Sequence, residues 1–154
     1  MDFGNTSKPF ILVCKRCLLR PSSHSIKSKD FSVNWFGCVC FWYNYSSKII
    51  KRLGEHFAFD YKKCDYLLLH QANIKMNEAK RKKLQLNSEQ VPYSLMDFGN
   101  TSSASIPLTI VTQLKGKVEN KLTKFVCCGF GVGLSWGTVA FETRQLIISD
   151  LVEL

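Results

Sequence analysis

The chain has 154 residues, of which 45% are apolar, and its formal net charge is +9. This length is sufficient for one domain with a buried core, and no apolar run approaches the roughly 18 residues that a membrane-spanning helix needs. We therefore expect a cytoplasmic protein that does not enter a membrane. The basic residues are not interleaved with aromatic ones and match no nucleic-acid-binding motif, so we expect no nucleic-acid partner.

The first third of the chain, residues 1–47, follows no consistent structural pattern. Its apolar stretch Phe10–Val13 is too short for a secretory signal. The heptapeptide Met1–Ser7 repeats Met96–Ser102 letter for letter, yet the residues that follow the two copies differ. We interpret residues 1–47 as an irregular, non-native or poorly ordered segment and residues 48–154 as the folded domain.

The seven cysteines of the chain are predicted to be free thiols, so we expect no bound metal. The residue types could in principle supply the ligands of a zinc site, with candidates at Cys14, Cys17, His24, Cys38 and Cys40. The spacing argues against it, because the second cysteine pair is separated by a single residue and lies in an aromatic run. The adjacent residues Cys127 and Cys128 fall in an apolar stretch, where we interpret both as small core residues.

From residue 48 onward, the hydrophobic pattern alternates between helices and strands. The predicted helices are Lys48–Phe57, His70–Leu84 and Ser102–Leu114, and the predicted strands are Cys64–Leu69, Val91–Leu95, Lys124–Cys128 and Leu134–Glu142. A tight glycine turn, Gly129–Gly133, joins the last two strands, which must therefore be antiparallel. The order α-β-α-β-α-β-β predicts an α/β domain with a mixed sheet.

The second predicted helix is strongly basic. We expect its basic side chains to keep one face in water: Lys75, Lys80, Arg81, Lys82 and Lys83. Packing would come from apolar side chains on the other face: Ile74, Met76, Ala79 and Leu84. An acidic protein partner, or a face that is merely solvated, explains this charge better than a nucleic acid does.

Two polar side chains, His70 and Asn100, stand close to the ends of predicted strands. Such strand ends are where α/β domains build their functional sites. A histidine and an asparagine can both donate hydrogen bonds to one developing oxyanion without supplying a full charge. The pair therefore favours acyl or thioester chemistry over phosphate or metal chemistry, although no convincing nucleophile accompanies it.

Three sequence blocks resemble the C-terminal half of the beta-ketoacyl-acyl-carrier-protein synthase III family: Asp65–Asn73, Phe98–Pro107 and Gly129–Gly137. The blocks occur in family order and with family spacing. The resemblance implies half of a thiolase-like fold, which contains two similar α/β halves and usually forms a homodimer. It implies an acyltransferase that joins an acyl thioester, typically from acyl-coenzyme A, to malonyl-acyl carrier protein with decarboxylation, which starts fatty-acid chains. No cofactor beyond these substrates is expected.

The resemblance also implies roles for residues at matching positions. His70 and Asn100 would donate hydrogen bonds to the malonyl thioester carbonyl and stabilise the enolate oxygen, with His70 in its neutral form. The glycine turn at Gly131 and Val132 would offer a backbone N–H to the acyl oxyanion. Basic side chains of the second helix would contact the acidic carrier protein, and these are Lys75, Lys82 and Lys83.

No cysteine of the chain matches the family's nucleophile. In the family that cysteine lies in the N-terminal half, on a turn of small residues, and such a half needs about 150 residues. Only the 47 atypical residues precede the matching region here. We therefore expect this chain to be inactive by itself as a condensing enzyme. The alternative is a non-catalytic truncated module, or an orphan reading frame, that at most binds acyl carrier protein.

Overall fold

The computed structural model describes residues 10–12, 47–48, 50–55, 59–131 and 135–152. The predictions made for Val132 and for most of residues 1–47 lie outside these ranges. No helix within the described ranges is both long enough and apolar enough to cross a bilayer.

A four-stranded mixed sheet forms the centre of the domain. Its strands are β1 (Phe10–Leu12), β2 (Tyr66–Leu69), β3 (Thr123–Gly131) and β4 (Ser135–Thr143). They lie in the order β1-β4-β3-β2, with β2 parallel to β3 and β4 antiparallel to both of its neighbours. The predicted α/β class with a mixed sheet is confirmed. The sequence pattern did not predict β1, although its three residues are all apolar.

The helical segments flank this sheet. They are α1 (residues 47–48 and 50–55), α2 (Ile74–Leu84), α3 (Leu95–Phe98) and α4 (Ser105–Thr109). A turn of 3-10 helix, Ser102–Ala104, precedes α4, and a π-helical turn, Ile110–Leu114, follows it. The predicted helix Ser102–Leu114 is thus confirmed in its bounds, but it changes type along its length.

Side chains from both faces of the sheet are buried. Along β2, Leu67 and Leu69 belong to the core cluster that also contains Leu84 of α2, whereas Leu68 belongs to a second cluster with Leu114. Successive side chains of a strand point to opposite faces. Because helices cover both faces, the strand needs the uninterrupted apolar run that the sequence shows.

The prediction of a strand at Val91–Leu95 is wrong. The segment is irregular until α3 begins at Leu95. Just before it, the Leu67 N–H donates to the Gln90 carbonyl at 2.7 Å, so the chain does pass beside β2. Pro92 has no N–H to donate, which interrupts any further ladder along that edge.

The basic helix begins later than predicted. α2 starts at Ile74 rather than at His70, because Asn73 has an extended backbone and caps the helix. The Oδ1 atom of Asn73 accepts hydrogen bonds from the backbone nitrogens of Lys75, at 2.9 Å, and Met76, at 3.4 Å. An asparagine cap satisfies N–H groups that the first turn leaves without partners. His70 consequently lies in the loop between β2 and α2.

Lys80 is not on the solvated face of α2, and that prediction is wrong. Only 1% of its surface is exposed. Lys80 follows Asn77 by three positions and precedes Leu84 by four, and both of these residues are buried. Residues at this spacing share one helix face, so the position of Lys80 places it on the core side.

The glycine turn is shorter than the predicted Gly129–Gly133. β3 extends beyond the predicted Lys124–Cys128 and continues through Gly131, which pairs with Ser135 at the start of β4. Antiparallel pairing gives partners to backbone groups that a longer turn would leave without them. The hairpin therefore brings the end of β3 and the start of β4 to the same edge of the sheet as the end of β2.

Candidate functional site

His70 directly follows β2 and is held by its backbone. Its N–H donates to the Cys128 carbonyl of β3 at 3.0 Å, which extends the parallel pairing by one more bond. Its carbonyl accepts from the Ala72 N–H at 3.0 Å and from the Asn77 side chain of α2 at 3.2 Å. These bonds fix the residue between the sheet and the helix that packs on it.

The imidazole of His70 is half-buried and has two ordered neighbours. Its Nδ1 atom lies 2.7 Å from the Ser105 hydroxyl oxygen. The Phe130 ring stands edge-on to it, with centroids 5.0 Å apart and planes at 85°. Burial lowers the pKa of His70 from its ordinary value, and a backbone contact with Ser102 offsets part of that shift. The neutral ring is therefore the favoured form at neutral pH.

Asn100 is exposed on the loop that leads into α4. Gly99 precedes it with φ 64° and ψ −154°, a conformation that is essentially restricted to glycine. The Asn100 Oδ1 atom accepts a hydrogen bond from the Ser102 N–H at 3.0 Å. This bond orients the amide, because it assigns the oxygen to Ser102 and leaves the Nδ2 hydrogens to face elsewhere.

His70 and Asn100 meet around Ser102. The Ser102 N–H binds the Asn100 side chain, and the Ser102 backbone also contacts the His70 ring. The two side chains thus lie on the same edge of the sheet, although they are 30 positions apart in the sequence. Each of the two side chains can donate a hydrogen bond, and the shared oxyanion predicted for them remains a prediction.

Gly131 lies at the same edge, because Phe130, its neighbour in β3, contacts the His70 ring. Gly131 is exposed and is the last residue of its strand. Val132 lies outside the described residues, so the predicted backbone donor at this position stays a prediction.

Sequence reasoning missed two residues that contact the imidazole. Ser105 lies within the predicted helix Ser102–Leu114 and Phe130 within the predicted glycine turn, and the sequence assigns a site role to neither. A buried serine one turn into a helix carries no distinctive sequence signal. Phe130 could have been found, because an aromatic residue at the end of a strand beside a site histidine is a common ring neighbour.

The three lysines predicted to bind a carrier protein are exposed on α2. Lys75 lies in the first turn, and Lys82 and Lys83 lie in the last turn. Lys75 and Lys82 are seven positions apart, or about two helical turns, so they share a face and lie about 10 Å apart along the axis. Lys82 and Lys83 also suit the negative end of the helix dipole, which favours cations without any partner.

The cysteines of the described ranges are poor nucleophiles. Burial raises the pKa of Cys64 to about 12, and it raises that of Cys127 to about 12 as well. Cys128 is buried beneath Thr138, whose hydroxyl donates to its Sγ atom at 3.2 Å. Because the thiolate is the reactive form, none of these three residues suits acyl transfer. These ranges also contain no group of three or more His, Cys, Asp or Glu side chains that could hold a metal ion.

Residues 55–143 match the family model of the 3-oxoacyl-[acyl-carrier-protein (ACP)] synthase III C terminal. The chain is 47% identical over 79 residues to beta-ketoacyl-[acyl-carrier-protein] synthase III 1 of Halalkalibacterium halodurans, covering 51% of this chain and 25% of that protein. It is 38% identical over 101 residues to beta-ketoacyl-[acyl-carrier-protein] synthase III of Synechococcus elongatus, covering 65% of this chain and 30% of that protein.

Solved structures give the same result. The 3-oxoacyl-(acyl-carrier protein) synthase of Burkholderia xenovorans superposes with a TM-score of 0.70 at 36% identity, covering 75% of this chain and 33% of that one. Synthase III of Pseudomonas aeruginosa gives 0.67 at 27% identity, covering 74% and 35%. The chain spans about a quarter to a third of the length of these relatives. Because the family model covers more than half of it, the chain belongs to the 3-oxoacyl-[acyl-carrier-protein] synthase III C-terminal family, with a thiolase-like fold.

Proposed function

We propose that this chain provides the decarboxylating half of a condensing acyltransferase that joins an acyl thioester to malonyl-acyl carrier protein. The observation that carries the proposal is the meeting of His70 and Asn100 around Ser102. Both are neutral donors, and they lie at one edge of the sheet. The family of the chain supports the same assignment, because its relatives are named as synthases that act on acyl carrier protein.

The proposed chemistry uses these donors when negative charge develops. In a malonyl thioester, the bond between the methylene carbon and the carboxylate breaks, and carbon dioxide leaves. The electron pair forms an enolate, whose oxygen accepts hydrogen bonds from His70 Nε2 and Asn100 Nδ2. A neutral donor directed at the oxyanion stabilises the oxyanion more than it stabilises the ground-state carbonyl. One such donor lowers the activation free energy by about 3 kcal/mol.

Condensation then requires an acyl group on a cysteine. The enolate carbon attacks the acyl carbonyl, a carbon–carbon bond forms, and the cysteine sulfur leaves as thiolate. The described cysteines are unsuited to this step, since burial raises the pKa of Cys64 and Cys127. The nucleophile would therefore come from outside the described ranges or from another chain. By itself, the described domain would carry out only decarboxylation.

The carrier protein would contact the exposed lysines of α2. Carrier proteins of this pathway are acidic, so complementary charge would steer their approach. Lys75 is in the first turn of α2, immediately after the loop that holds His70. A carrier bound along this face would therefore bring its thioester-bearing arm towards the His70 edge of the sheet.

The proposal is tested by decarboxylation of malonyl-coenzyme A without any acyl substrate. We expect the chain to release carbon dioxide from malonyl-coenzyme A, and to form acetyl-coenzyme A when the enolate carbon takes a proton from water, faster than buffer does. His70→Ala and Asn100→Ala should each reduce this rate by about 100-fold, because each removes one oxyanion donor. Ser103→Ala is the matched control, since Ser103 is exposed on the same loop, and it should leave the rate unchanged.

Each variant should first be shown to fold by its thermal unfolding. A wild-type rate equal to that of buffer, or equal rates in wild type and both variants, would contradict the proposal. The non-catalytic carrier-binding module would then be the remaining function, and it predicts carrier binding without turnover.

A further inference from the structure

We infer that Ser105 is a positioning residue that places the hydrogen of the neutral His70 imidazole on Nε2 rather than on Nδ1. The inference rests on the proposed function, since it explains how the ring becomes a directed donor to the enolate oxygen. Its test measures the imidazole itself and needs no turnover.

Ser105 reaches His70 from a different element of the fold. It is the first residue of α4, and 1% of its surface is exposed. Its Oγ atom lies 2.7 Å from His70 Nδ1, across 35 positions of sequence. The distance alone does not reveal which of the two atoms carries the hydrogen. The position of this hydrogen follows from the other hydrogen bond that the Ser105 hydroxyl makes.

The Ser105 hydroxyl also accepts a hydrogen bond from the Gln71 N–H, at 3.3 Å. A hydroxyl has a single hydrogen to donate. If Nδ1 carried the hydrogen, Ser105 would accept from both neighbours, and its own hydrogen would find no acceptor among the described residues. A buried hydroxyl without an acceptor is unfavourable. Both groups are satisfied when Ser105 donates to an unprotonated Nδ1.

A second pair of hydroxyls holds Ser105 in place. The Thr109 hydroxyl donates to the Ser105 carbonyl at 2.8 Å. It also lies 2.7 Å from the Ser94 hydroxyl, and because Thr109 has already used its one hydrogen, Ser94 must be the donor. All three residues are buried. The position of Ser105 is therefore set by bonds that do not involve His70.

The consequence concerns the far side of the imidazole. When Nδ1 accepts from Ser105, the neutral ring carries its hydrogen on Nε2. The Phe130 ring, edge-on to the imidazole at a centroid distance of 5.0 Å, restricts rotation of the side chain. The Nε2–H group is thus held as a donor in one direction, and the enolate oxygen would replace the Ser102 backbone as the partner of the ring.

The test is nitrogen-15 NMR of the full chain labelled at histidine, recorded at a pH where His70 is neutral. The chain has three histidines, so His70→Gln assigns the signal. We expect the Nε2–H form to dominate in the wild type. In Ser105→Ala the population of the Nδ1–H form should rise at least about fivefold, which corresponds to about 1 kcal/mol.

Two variants serve as controls. Ser103→Ala, exposed two positions away, should leave the ratio of the two forms unchanged, and Ser105→Thr, which keeps a hydroxyl, should preserve the wild-type ratio. Predominance of the Nδ1–H form in the wild type would overturn the inference, whether or not Ser105→Ala folds. An unchanged ratio in folded Ser105→Ala would overturn it as well. Either result leaves the decarboxylation assay unaffected, so failure of this inference and failure of the proposed function are distinguishable.

Discussion

At the scale of single residues, burial lowers the pKa of two basic side chains, His70 and Lys80. For His70 the shift favours the neutral ring, which can donate a hydrogen bond without the cost of a buried charge. For Lys80 the pKa falls to about 7, mainly through burial; the neighbouring Cys128 acts in the opposite direction and Lys83 adds to the fall. The amine of Lys80 is therefore close to its titration midpoint at neutral pH.

This shift predicts a pH-dependent stability. The unfolded amine titrates near 10.5 and the folded amine near 7, so the unfolded chain binds more protons between these values. The free energy of unfolding of wild type, relative to Lys80→Met, should therefore rise with pH from 7 to 10, by up to about 1.4 kcal/mol per pH unit. Urea unfolding of both proteins across this range measures the difference.

The control is Lys117→Met, because Lys117 is exposed and lies outside α2. The difference between wild type and Lys117→Met should change less over the same pH range than the difference between wild type and Lys80→Met. If the difference in free energy of unfolding between wild type and Lys80→Met did not change with pH, the Lys80 amine would be hydrated in the folded protein.

At the scale of elements, the position of α2 determines the geometry of the site. The Asn73 cap ends the loop that carries His70, and the buried Asn77 donates from the helix to the His70 carbonyl. On the opposite face of the sheet, α4 presents Ser105 to the same imidazole. The backbone of His70 is therefore bonded to α2 and its half-buried ring to α4, and neither element alone could orient the side chain.

The cap of α2 can be tested by substitution. Asn73→Ala should lower the free energy of unfolding by about 1 kcal/mol, because two N–H groups of the first turn lose their acceptor. Asn73→Ser, which keeps an oxygen acceptor, should recover most of this loss. Urea unfolding gives the stability, and hydrogen exchange at Lys75 and Met76 should become faster in the alanine variant only. Equal stability of the alanine variant and wild type would show that the cap contributes nothing.

At the scale of the whole molecule, the sheet separates two surfaces, and both of them carry exposed lysines. α2 packs with Leu67 and Leu69 on one face of the sheet, and its three exposed lysines, Lys75, Lys82 and Lys83, point away from that core. The segment that contains Val118 packs in the cluster on the other face. Substitution of two lysines on either surface changes the net charge by the same amount, so the effects of the two surfaces on binding can be compared directly.

This arrangement predicts that carrier binding depends on which of the two surfaces loses its positive charge. The double substitution Lys82→Glu and Lys83→Glu should weaken binding of acyl carrier protein by about 10-fold or more, mainly through slower association, and should reduce the dependence of that rate on salt. The control is Lys117→Glu with Lys121→Glu, since both lysines are exposed near Val118. Surface plasmon resonance at two salt concentrations measures both rates. Equal weakening by the two double variants would indicate a general effect of net charge rather than docking on α2.

The sequence by itself determined the class of the fold, and it supplied His70 and Asn100 as the candidate site residues. Local signals were sufficient here: an apolar run of strand length at Leu67–Leu69, the basic run of the second helix, and a polar residue close to the end of a strand at His70. Each of these signals depends only on residues that are close together in the sequence, so it can be recognised without knowledge of the folded structure. Pro92 could have prevented the incorrect strand at Val91–Leu95, because a proline cannot supply the ladder hydrogen bond.

Only the tertiary structure decided the features that depend on distant neighbours. The burial of Lys80 follows from which face of α2 meets the sheet, and its charge gave the opposite expectation. The bond between Ser105 and His70 crosses 35 positions, and the pairing that continues β3 through Gly131 depends on β4. Hydrogen bonds between separate elements are set by how those elements pack, and a single sequence does not specify that packing locally. The set of contacts around the His70 ring is for this reason a property of the folded domain.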